Sequence, residues 1–389
     1  MYSSEILPIL SRLIATPSVN PAHSADSNIH GEKRMALLLA DLFRERGLEV
    51  EMLFPMGEDR PAVLGKSRPQ TVHRTLMFEM HLDTVGVADM TISPFESTQR
   101  DDRIYGRGSC DMKGSMAALF AVLTRERIET LARKGIQLLL VGAPDEETGL
   151  GGSTRLAAEG LGADWAVILE PTRCLPVIAH KGALWYEVEL RGRSGHGSQP
   201  DKGVSTNAAL ADFLPNLLRI HADLAAAYAH PLLGHSSLNI GRIVGGQTFN
   251  IIPERTLLQL DRRVIPNEPS ELFPERVSAA IASLIEQGKL LGGSCTLTNQ
   301  TDAFATDEDS EWVRALQRSI TRVTGEPAPC SGTSWVSDAS PFSKTCGQVL
   351  VFGPGDIAQA HTDNEYIEIS QLETAAAVFA EFLDHGVDG

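Results

Sequence analysis

Four apolar runs along the chain have the length of a buried β-strand and few polar interruptions. They are residues 75–80, 136–143, 164–169 and 348–352. Other segments place apolar residues at the three-to-four-residue spacing of an amphipathic helix. These are residues 1–16, 30–47 and 116–133. Strands that alternate with helices predict an α/β domain, in which helices cover a central sheet.

The pattern changes between the third and the fourth apolar run. Here the strand-like segments alternate apolar and polar residues, which is typical of strands with one solvent-exposed face. The predicted order is strand 185–191, helix 207–227, strands 237–243 and 256–264, helix 269–287 and strand 294–301. This β-α-β-β-α-β order is the split, ferredoxin-like unit. We therefore predict an α+β domain of residues 181–302, inserted into an α/β domain formed by residues 1–180 and 303–389.

Polar residues stand at, or shortly after, the points where the four apolar strands would end. They are His81, the pair Glu146 and Glu147, Glu170 and, a short distance beyond the fourth run, His361. In open α/β sheets, ligands bind beyond the carboxyl ends of the strands. One polar strand end is ordinary, but four at the same edge of a sheet indicate a metal site.

Composition narrows the classes of partner. The 389 residues carry a formal net charge of −16, which argues against nucleic acids and anionic membrane surfaces as partners. No apolar run approaches the roughly 18 residues that span a bilayer. The five cysteines are scattered and form no Cys-x-x-Cys pair, which suits reduced thiols. We therefore expect a cytoplasmic protein without nucleic-acid or membrane partners.

Charge repulsion makes the predicted site costly unless it holds cations. Two carboxylates about 4 Å apart repel by roughly 4 kcal/mol at an effective dielectric of about 20. The residues proposed as ligands are His81, Asp111, Glu147, Glu170 and His361. Their three carboxylates supply −3 against +4 from two divalent ions, and a bridging hydroxide would balance the charge. Mixed histidine and carboxylate ligands with an open position favour catalytic zinc over calcium or magnesium.

Two carboxylates of the same region are left for other roles. Asp83 lies two residues after His81 and can orient its imidazole ring. Glu146 precedes a proposed ligand and can act as the general base, which takes a proton from metal-bound water and passes it to a leaving amine. The predicted reaction is hydrolysis of an amide bond.

The same segments resemble a family of two-zinc amidohydrolases and exopeptidases that includes acetylornithine deacetylase, succinyl-diaminopimelate desuccinylase and glutamate carboxypeptidase. The matching segments are HLDTV (81–85), GRGSCDMKG (106–114), PDEETG (144–149), EPT (170–172), SGHGSQPDKGV (194–204), FNIIP (249–253), DRRVIP (261–266) and AHTDNEYI (360–367). They follow the family's order from one end of the chain to the other. The resemblance implies a zinc-exopeptidase-like domain with a mixed central sheet, and an inserted lid domain that mediates homodimerisation.

The resemblance also implies how the proposed ligands are shared between two Zn²⁺ ions per subunit, with Co²⁺ as a substitute. His81 and Glu170 are expected on one ion. Glu147 and His361 are expected on the other, with Asp111 bridging the two. These are the same five residues that the charge balance above uses as proposed ligands.

Three residues of the predicted insert gain roles from the resemblance alone. His196 matches a histidine that reaches the partner subunit's site and helps to stabilise the oxyanion. Arg263 matches an arginine that binds the substrate carboxylate, and Asn250 matches a neighbouring polar contact. A planar guanidinium suits such a carboxylate because it can bind both oxygens at once.

We predict hydrolysis of an N-acyl amino acid, first of all as an acetylornithine deacetylase-like enzyme of arginine biosynthesis. Succinyl-diaminopimelate desuccinylase-like or glutamate carboxypeptidase-like activity, on a related substrate or a short peptide, is the alternative. A single-metal hydrolase and a non-catalytic binding protein of the same fold are further alternatives. Met80 stands where the family commonly has glycine, and Trp335 lies in a predicted substrate-pocket loop of residues 332–339. The identity of the substrate therefore stays open.

Overall fold

The computed structural model describes residues 2–387, which form two compact units. The first unit comprises the chain up to Ile178, Thr306–Ser331 and the chain from Ser337 onward. The second comprises Ala179–Ala305 and Gly332–Val336. The predicted insert of residues 181–302 lies within this second unit. The sequence assigns Gly332–Val336 to the α/β domain, but in the structure this segment belongs to the second unit.

The strands are short, and most belong to one of two sheets. In chain order they are β1 Glu49–Leu53, β2 Ala62–Lys66, β3 Arg74–His81, β4 Thr98–Arg100, β5 Arg103–Tyr105, β6 Ile136–Ala143, β7 Trp165–Ile168 and β8 Val177–His180. They continue with β9 Gly182–Arg191, β10 Ser237–Gly245, β11 Arg255–Val264, β12 Gly292–Thr301, β13 Phe304–Ala305, β14 Ser331–Thr333, β15 Gln348–Val351 and β16 Tyr366–Glu368.

The helices vary from single turns to six turns. They are α1 Ser3–Ile14, α2 Glu32–Glu45, α3 Gly114–Val122, α4 Arg125–Arg133, α5 Glu146–Gly149, α6 Gly151–Ala158, α7 Thr206–Ala227, α8 Leu272–Glu286, α9 Glu311–Thr324, α10 Ala339–Phe342 and α11 Ile369–Glu381. Among residues 2–387, no helix is both long and apolar enough to cross a membrane. All five cysteines are free thiols.

The first unit is built on a mixed sheet. The strands β6, β3, β7 and β15 lie side by side in this order and run parallel. Beyond β6, the strands β2 and β1 continue the sheet in antiparallel directions. The last six residues of β3 and of β6 are buried, as expected of parallel strands that are covered on both faces. The predicted α/β class with a mixed central sheet is confirmed.

The predicted single helix over residues 116–133 is wrong. Here α3 ends at Val122, and Thr124 begins α4 by accepting a hydrogen bond from the amide of Arg127. Apolar residues recur on both sides of this break, so their spacing alone conceals it. Asp111 lies in a tight turn, Ser109–Lys113, that precedes α3.

The second unit is an antiparallel sheet packed against two helices. The strand order is β10-β11-β9-β12, and α7 and α8 contribute to the same core. Tyr186, Phe213 and Phe273 are among its largest buried side chains. The neighbouring Trp185, on the opposite face of β9, is 44% exposed. This α+β unit has the order of elements that the alternating pattern predicts.

Candidate metal centre

The register of the central sheet brings several predicted ligands together. The strands β3 and β6 pair in parallel with His81 beside Ala143, so both end at the same edge. The chain leaving β6 then turns at once into Glu146 and Glu147. On the other side of β3, the strand β7 also runs parallel, and Glu170 follows its end.

Asp111 lies between the two histidines. Its Oδ1 is 3.0 Å from Nε2 of His81, and its Oδ2 is 3.4 Å from Nε2 of His361. Each oxygen of the carboxylate therefore faces a different imidazole. A carboxylate that bridges two cations requires this arrangement, because each oxygen binds one of them.

Further carboxylates surround this pair of contacts. Nε2 of His361 is 2.9 Å from Oε2 of Glu147, and Nε2 of His81 is 3.8 Å from Oε1 of Glu170. The side chain of His361 is 54% exposed, whereas those of the other four are almost completely buried. Potential ligand atoms lie within 4.8 Å of one another in two groups, namely His81, Asp111 and Glu147, and His81, Glu146 and Glu170.

The pKa values show that the cluster carries more negative charge than the polypeptide balances. Burial raises the pKa of Glu146 well above its ordinary value, and the charge of Glu170 adds to this increase. Burial likewise raises the pKa of Glu147 and of Glu170, with the charge of Asp111 as the next cause. Burial would lower the pKa of His81, but its hydrogen bond with Asp111 and the charge of Glu170 raise it. Without cations, these groups therefore favour their protonated forms.

The donor set fits divalent cations. Oε1 of Glu147 is buried and has no hydrogen-bond partner among the described residues. Such a buried oxygen calls for a partner that the polypeptide does not supply. Two imidazoles with three carboxylates suit a catalytic zinc-type site. Cys110 is not assigned as a metal ligand, because its thiol faces the carbonyl oxygen of Asp356 at 3.3 Å.

Asp83 makes different contacts from those that the sequence predicts. Nδ1 of His81 lies 3.0 Å from the main-chain oxygen of Asp83, but 3.8 Å from its carboxylate. The carboxylate instead accepts hydrogen bonds from the main-chain amides of Glu146 and Glu147, both at 3.1 Å. The main chain of Asp83 therefore orients the imidazole, while its side chain holds the turn that carries the proposed base.

A buried network supports this turn, and the sequence gives no signal for it. Nδ2 of Asn20 donates to Asp83 at 2.7 Å and to Asp145 at 3.1 Å. Nη2 of Arg60 donates to Asp145 at 2.6 Å and to Glu32 at 2.8 Å. Asp145 has a left-handed backbone with φ of 76°, a conformation that aspartate adopts more readily than most residues. The network fixes the residue immediately before Glu146.

The second unit places His196 close to Asn250. The two segments form an isolated β-bridge between His196 and Ile251, and the amide of Gly197 donates to the main-chain oxygen of Asn250 at 2.8 Å. Both side chains belong to exposed residues. Nδ1 of His196 lies 2.7 Å from the hydroxyl of Ser198. Two of the three predicted residues of the insert are therefore neighbours.

Arg263 lies at the other end of the same sheet. Ile251 precedes Arg255, the first residue of β11, and Arg263 is the ninth. Eight strand residues span roughly 26 Å. Nε and Nη2 of Arg263 each lie 3.0 Å from the carboxylate of Asp261, which therefore orients the guanidinium. Within one chain the structure therefore separates Arg263 from Asn250, its predicted neighbour, as well as from His196.

The predicted substrate-pocket loop is divided between the two units. Trp335 belongs to the second unit, whereas Ser337 and Asp338 are buried in the first. The hydroxyl of Ser153 donates to the carboxylate of Asp338. Burial raises the pKa of Asp338 to about 6. A substrate contact by Trp335 stays a prediction.

The fold and the cluster of histidines and carboxylates define a metal-dependent amidohydrolase. Its sequence matches the family described as Peptidase family M20/M25/M40 over residues 77–385, and the chain belongs to this family. The matched segment contains every predicted ligand.

Curated relatives and solved structures agree with this assignment. Acetylornithine deacetylase from Myxococcus xanthus is 32% identical over 316 residues, which are 79% of this chain and 79% of the relative. The enzyme of that name from Photorhabdus laumondii is 28% identical over 391 residues, with 97% and 96% covered.

The fold is shared with peptidases of known structure. Aminopeptidase PepT from Bacillus cereus has a TM-score of 0.77 and 20% identity, with 99% of both chains covered. A metallo-carboxypeptidase of the same family from Sulfolobus solfataricus has a TM-score of 0.73 and 20% identity, with 98% of this chain and 99% of that one covered. A dinuclear metal-binding peptidase of the family from Bacillus subtilis has a TM-score of 0.72 and 12% identity, with 98% and 97% covered. At these identities the likeness concerns the fold alone.

Proposed function

We propose that this protein hydrolyses the amide bond of N-acyl amino acids, with N-acetylornithine as the preferred substrate. The placement of Asp111 between His81 and His361 carries the proposal, because it indicates a site for two cations rather than one. Glu146 lies in the same cluster, within 4.8 Å of His81 and Glu170, and we assign it to proton transfer because five other residues can hold the two ions. The acyl group and the amino acid are inferred from the acetylornithine deacetylases that match most of this chain.

Two Zn²⁺ ions are the proposed cofactors, and Co²⁺ is expected to replace them. His81 and Glu170 are assigned to one ion, and their potential ligand atoms lie within 4.8 Å of one another together with one of Glu146. Glu147 and His361, 2.9 Å apart, are assigned to the other. When bound, such ions polarise the amide carbonyl and lower the pKa of water toward about 7.

Glu146 is assigned the proton transfer. Its main chain is fixed by the carboxylate of Asp83, and burial raises the pKa of its side chain. A carboxylate with a raised pKa accepts a proton from the attacking water more readily, and it can then pass this proton to the leaving nitrogen. One water and one amide yield one carboxylate and one protonated amine, so the reaction needs no other reactant.

The second unit is assigned to substrate binding and to dimerisation. Arg263 would bind the free carboxylate of the amino acid, held in orientation by Asp261. His196 and Asn250 are proposed to act on the site of the partner subunit in a homodimer. The separation of roughly 26 Å along β11 supports this division, because one small substrate cannot contact both ends of the strand.

Hydrolysis of short peptides is a second candidate function. Solved structures with this fold include an aminopeptidase and a metallo-carboxypeptidase. Cleavage of a peptide bond needs the same ions and the same base as removal of an acyl group. The two functions differ in the residues that recognise the rest of the substrate.

A substrate panel distinguishes the two candidates. The zinc- or cobalt-loaded protein would be assayed with N-acetyl, N-succinyl and N-formyl amino acids and with dipeptides. We expect kcat/KM for N-acetylornithine to exceed that for the other substrates by more than about tenfold. A preference for dipeptides would instead assign a peptidase. Binding of two ions without hydrolysis of any substrate would contradict both.

A further inference from the structure

Glu365 is a buried carboxylate outside the proposed ligand set. It is 1% exposed and lies four residues after His361, just before β16. Its Oε2 accepts hydrogen bonds from Nη1 of Arg107 at 2.8 Å and from the amide of Gly108 at 2.9 Å. These partners offset part of the cost of burying the carboxylate.

The second oxygen of Glu365 reaches the metal ligand itself. Oε1 accepts hydrogen bonds from the amides of Cys110 at 2.9 Å and of Asp111 at 3.1 Å. One side chain thus binds three main-chain amides of residues 108–111 together with one guanidinium. A carboxylate can accept hydrogen bonds from all four donors because both of its oxygens are acceptors. A glutamine would turn its NH₂ group toward two of these donors.

The backbone of this turn suits convergence of its amides on one carboxylate. Gly108 has φ of 79°, which lies in the left-handed region. A Cβ at this position would come within 2.9 Å of the side chain of Lys113. Glycine therefore satisfies both the conformation and the space, and the turn presents Asp111 with its amide bound to Glu365.

The segment that carries His361 is fastened to the same region. The main-chain oxygen of Glu365 accepts from the amide of Gly106 at 3.1 Å, and the oxygen of Asp363 accepts from the amide of Thr91 at 2.9 Å. Directly afterwards, β16 pairs with β5, the strand that leads into the turn. Residue 365 therefore joins two segments of the chain that each supply one ligand.

We propose that Glu365 is a positioning residue that sets the distance between Asp111 and His361, and with it the affinity for the metal ion assigned to Glu147 and His361. The inference rests on the proposed two-ion site. His361 has an exposed side chain and a left-handed backbone with φ of 62°, so its placement depends on how its segment is anchored. Residues that orient ligands commonly change metal affinity by about 10- to 100-fold when they are replaced.

Cobalt titration of the full-length protein tests this role directly. Metal-free wild type, Glu365→Gln and Glu365→Asp would be titrated with Co²⁺, with bound ions counted by equilibrium dialysis and the ligand field followed by visible absorption. We expect Glu365→Gln to bind one Co²⁺, the ion assigned to Glu147 and His361, at least about tenfold more weakly, with an altered spectrum, and the other Co²⁺ within about threefold of wild type. Glu365→Asp keeps the charge and should show a smaller loss in the same direction.

Glu268→Gln is the matched control. Glu268 is also a buried carboxylate, paired with the buried Arg262, but it belongs to the second unit. This variant should lower the unfolding temperature and leave both cobalt affinities unchanged. Unchanged affinities and spectra in the Glu365 variants, or equal weakening of both ions, would overturn the proposal. If Glu365→Gln does not fold, the proposal is tested with Glu365→Asp, by whether the two cobalt affinities weaken unequally and the spectrum changes. A wild-type protein that binds no Co²⁺ would instead contradict the proposed function.

Discussion

The two units present their candidate residues in opposite ways. In the first unit, His81, Asp111 and Glu170 are 2%, 7% and 4% exposed, and most of their polar atoms face other members of the cluster. In the second unit, His196 and Asn250 belong to exposed residues. They lie at one end of the sheet and Arg263 lies at the other.

This difference separates two parts of the proposed activity. A cluster fixed by its own polypeptide is ready to bind cations and to transfer protons, because its groups need little rearrangement. Exposed residues at opposite ends of a sheet select a substrate only when another surface completes their site. The proposed metal binding and proton transfer therefore depend on the first unit. The proposed selection of substrate and the oxyanion contact of His196 depend on the second unit and its assembly.

The largest expected effect is that of Glu146→Ala. Loss of the proposed base should lower kcat by at least about a thousandfold, within the range of general acid–base catalysis. Metal content should stay at the wild-type level, because Glu146 is not an assigned ligand. The exposed Glu159→Ala is the control and should keep kcat within about twofold. Full turnover by Glu146→Ala would refute the assigned mechanism.

His196→Ala should lower kcat by about a hundredfold, as expected for loss of an oxyanion contact. Mixing this chain with Glu146→Ala should restore activity, because each mixed dimer contains one complete site. With random exchange, half of the dimers are mixed and half of their sites are complete, so about a quarter of wild-type activity is expected. Mixing His196→Ala with a chain carrying both substitutions is the control. Mixed dimers without restored activity would show that His196 does not act across subunits.

Asp83→Asn should lower kcat by about 10- to 100-fold while most of the metal stays bound. The carboxylate of Asp83 accepts hydrogen bonds from the main-chain amides of Glu146 and Glu147. In asparagine, the NH₂ group would face one of these two donors. Kinetics and metal analysis of the same sample measure both effects. Complete loss of metal would mean that the carboxylate supports His81 rather than the base.

Arg263→Met should raise KM by about tenfold for substrates with a free carboxylate, because a charge-assisted contact is lost. The corresponding amidated substrates provide the control, since their KM should change little. Steady-state kinetics with the free-acid and the amidated substrates measure both KM values. An unchanged KM for the free acid would remove Arg263 from the proposed substrate site.

The smallest expected effect concerns stability and pH. Burial raises the pKa of Glu146, Glu147 and Glu170 above 4.5. Hydrogen bonds that the His361 imidazole donates to the carboxylates of Asp111 and Glu147 raise its pKa from 6.5 to about 10. In the metal-free protein, the folded state therefore holds protons that the unfolded state releases.

The raised pKa values of the three carboxyl groups and of the imidazole stabilise the metal-free protein at low pH. This stabilisation is lost as pH rises. The histidine contribution is complete below 6.5 and disappears as pH passes about 10. We expect the Tm of the chelated protein to fall by several degrees from about pH 6 to about pH 8.5, and that of the metal-loaded protein to fall less. Calorimetry at both pH values measures this. A Tm of the chelated protein that rises over this range would contradict the assigned charges.

The sequence was sufficient to predict that the proposed ligands lie together, but not to find the residues that support them. Parallel strands end at one edge of a sheet, so His81, Glu146 and Glu170 could be placed together before any coordinates. Glu365 lies in a segment that the family resemblance includes, yet a carboxylate that binds main-chain amides has no pattern of its own in sequence. The same holds for Asn20, whose two acceptors are distant along the chain. The sequence did not predict the break between α3 and α4, because the spacing of apolar residues continues across it.

The cation count tests the account most directly. Metal-free protein would be titrated with Zn²⁺ while bound metal and hydrolysis of N-acetylornithine are measured on the same samples. We predict that bound metal reaches a plateau at two ions per chain and that full activity requires both. A plateau at one ion with full activity, or activity that survives complete removal of metal, would contradict the bridging position of Asp111.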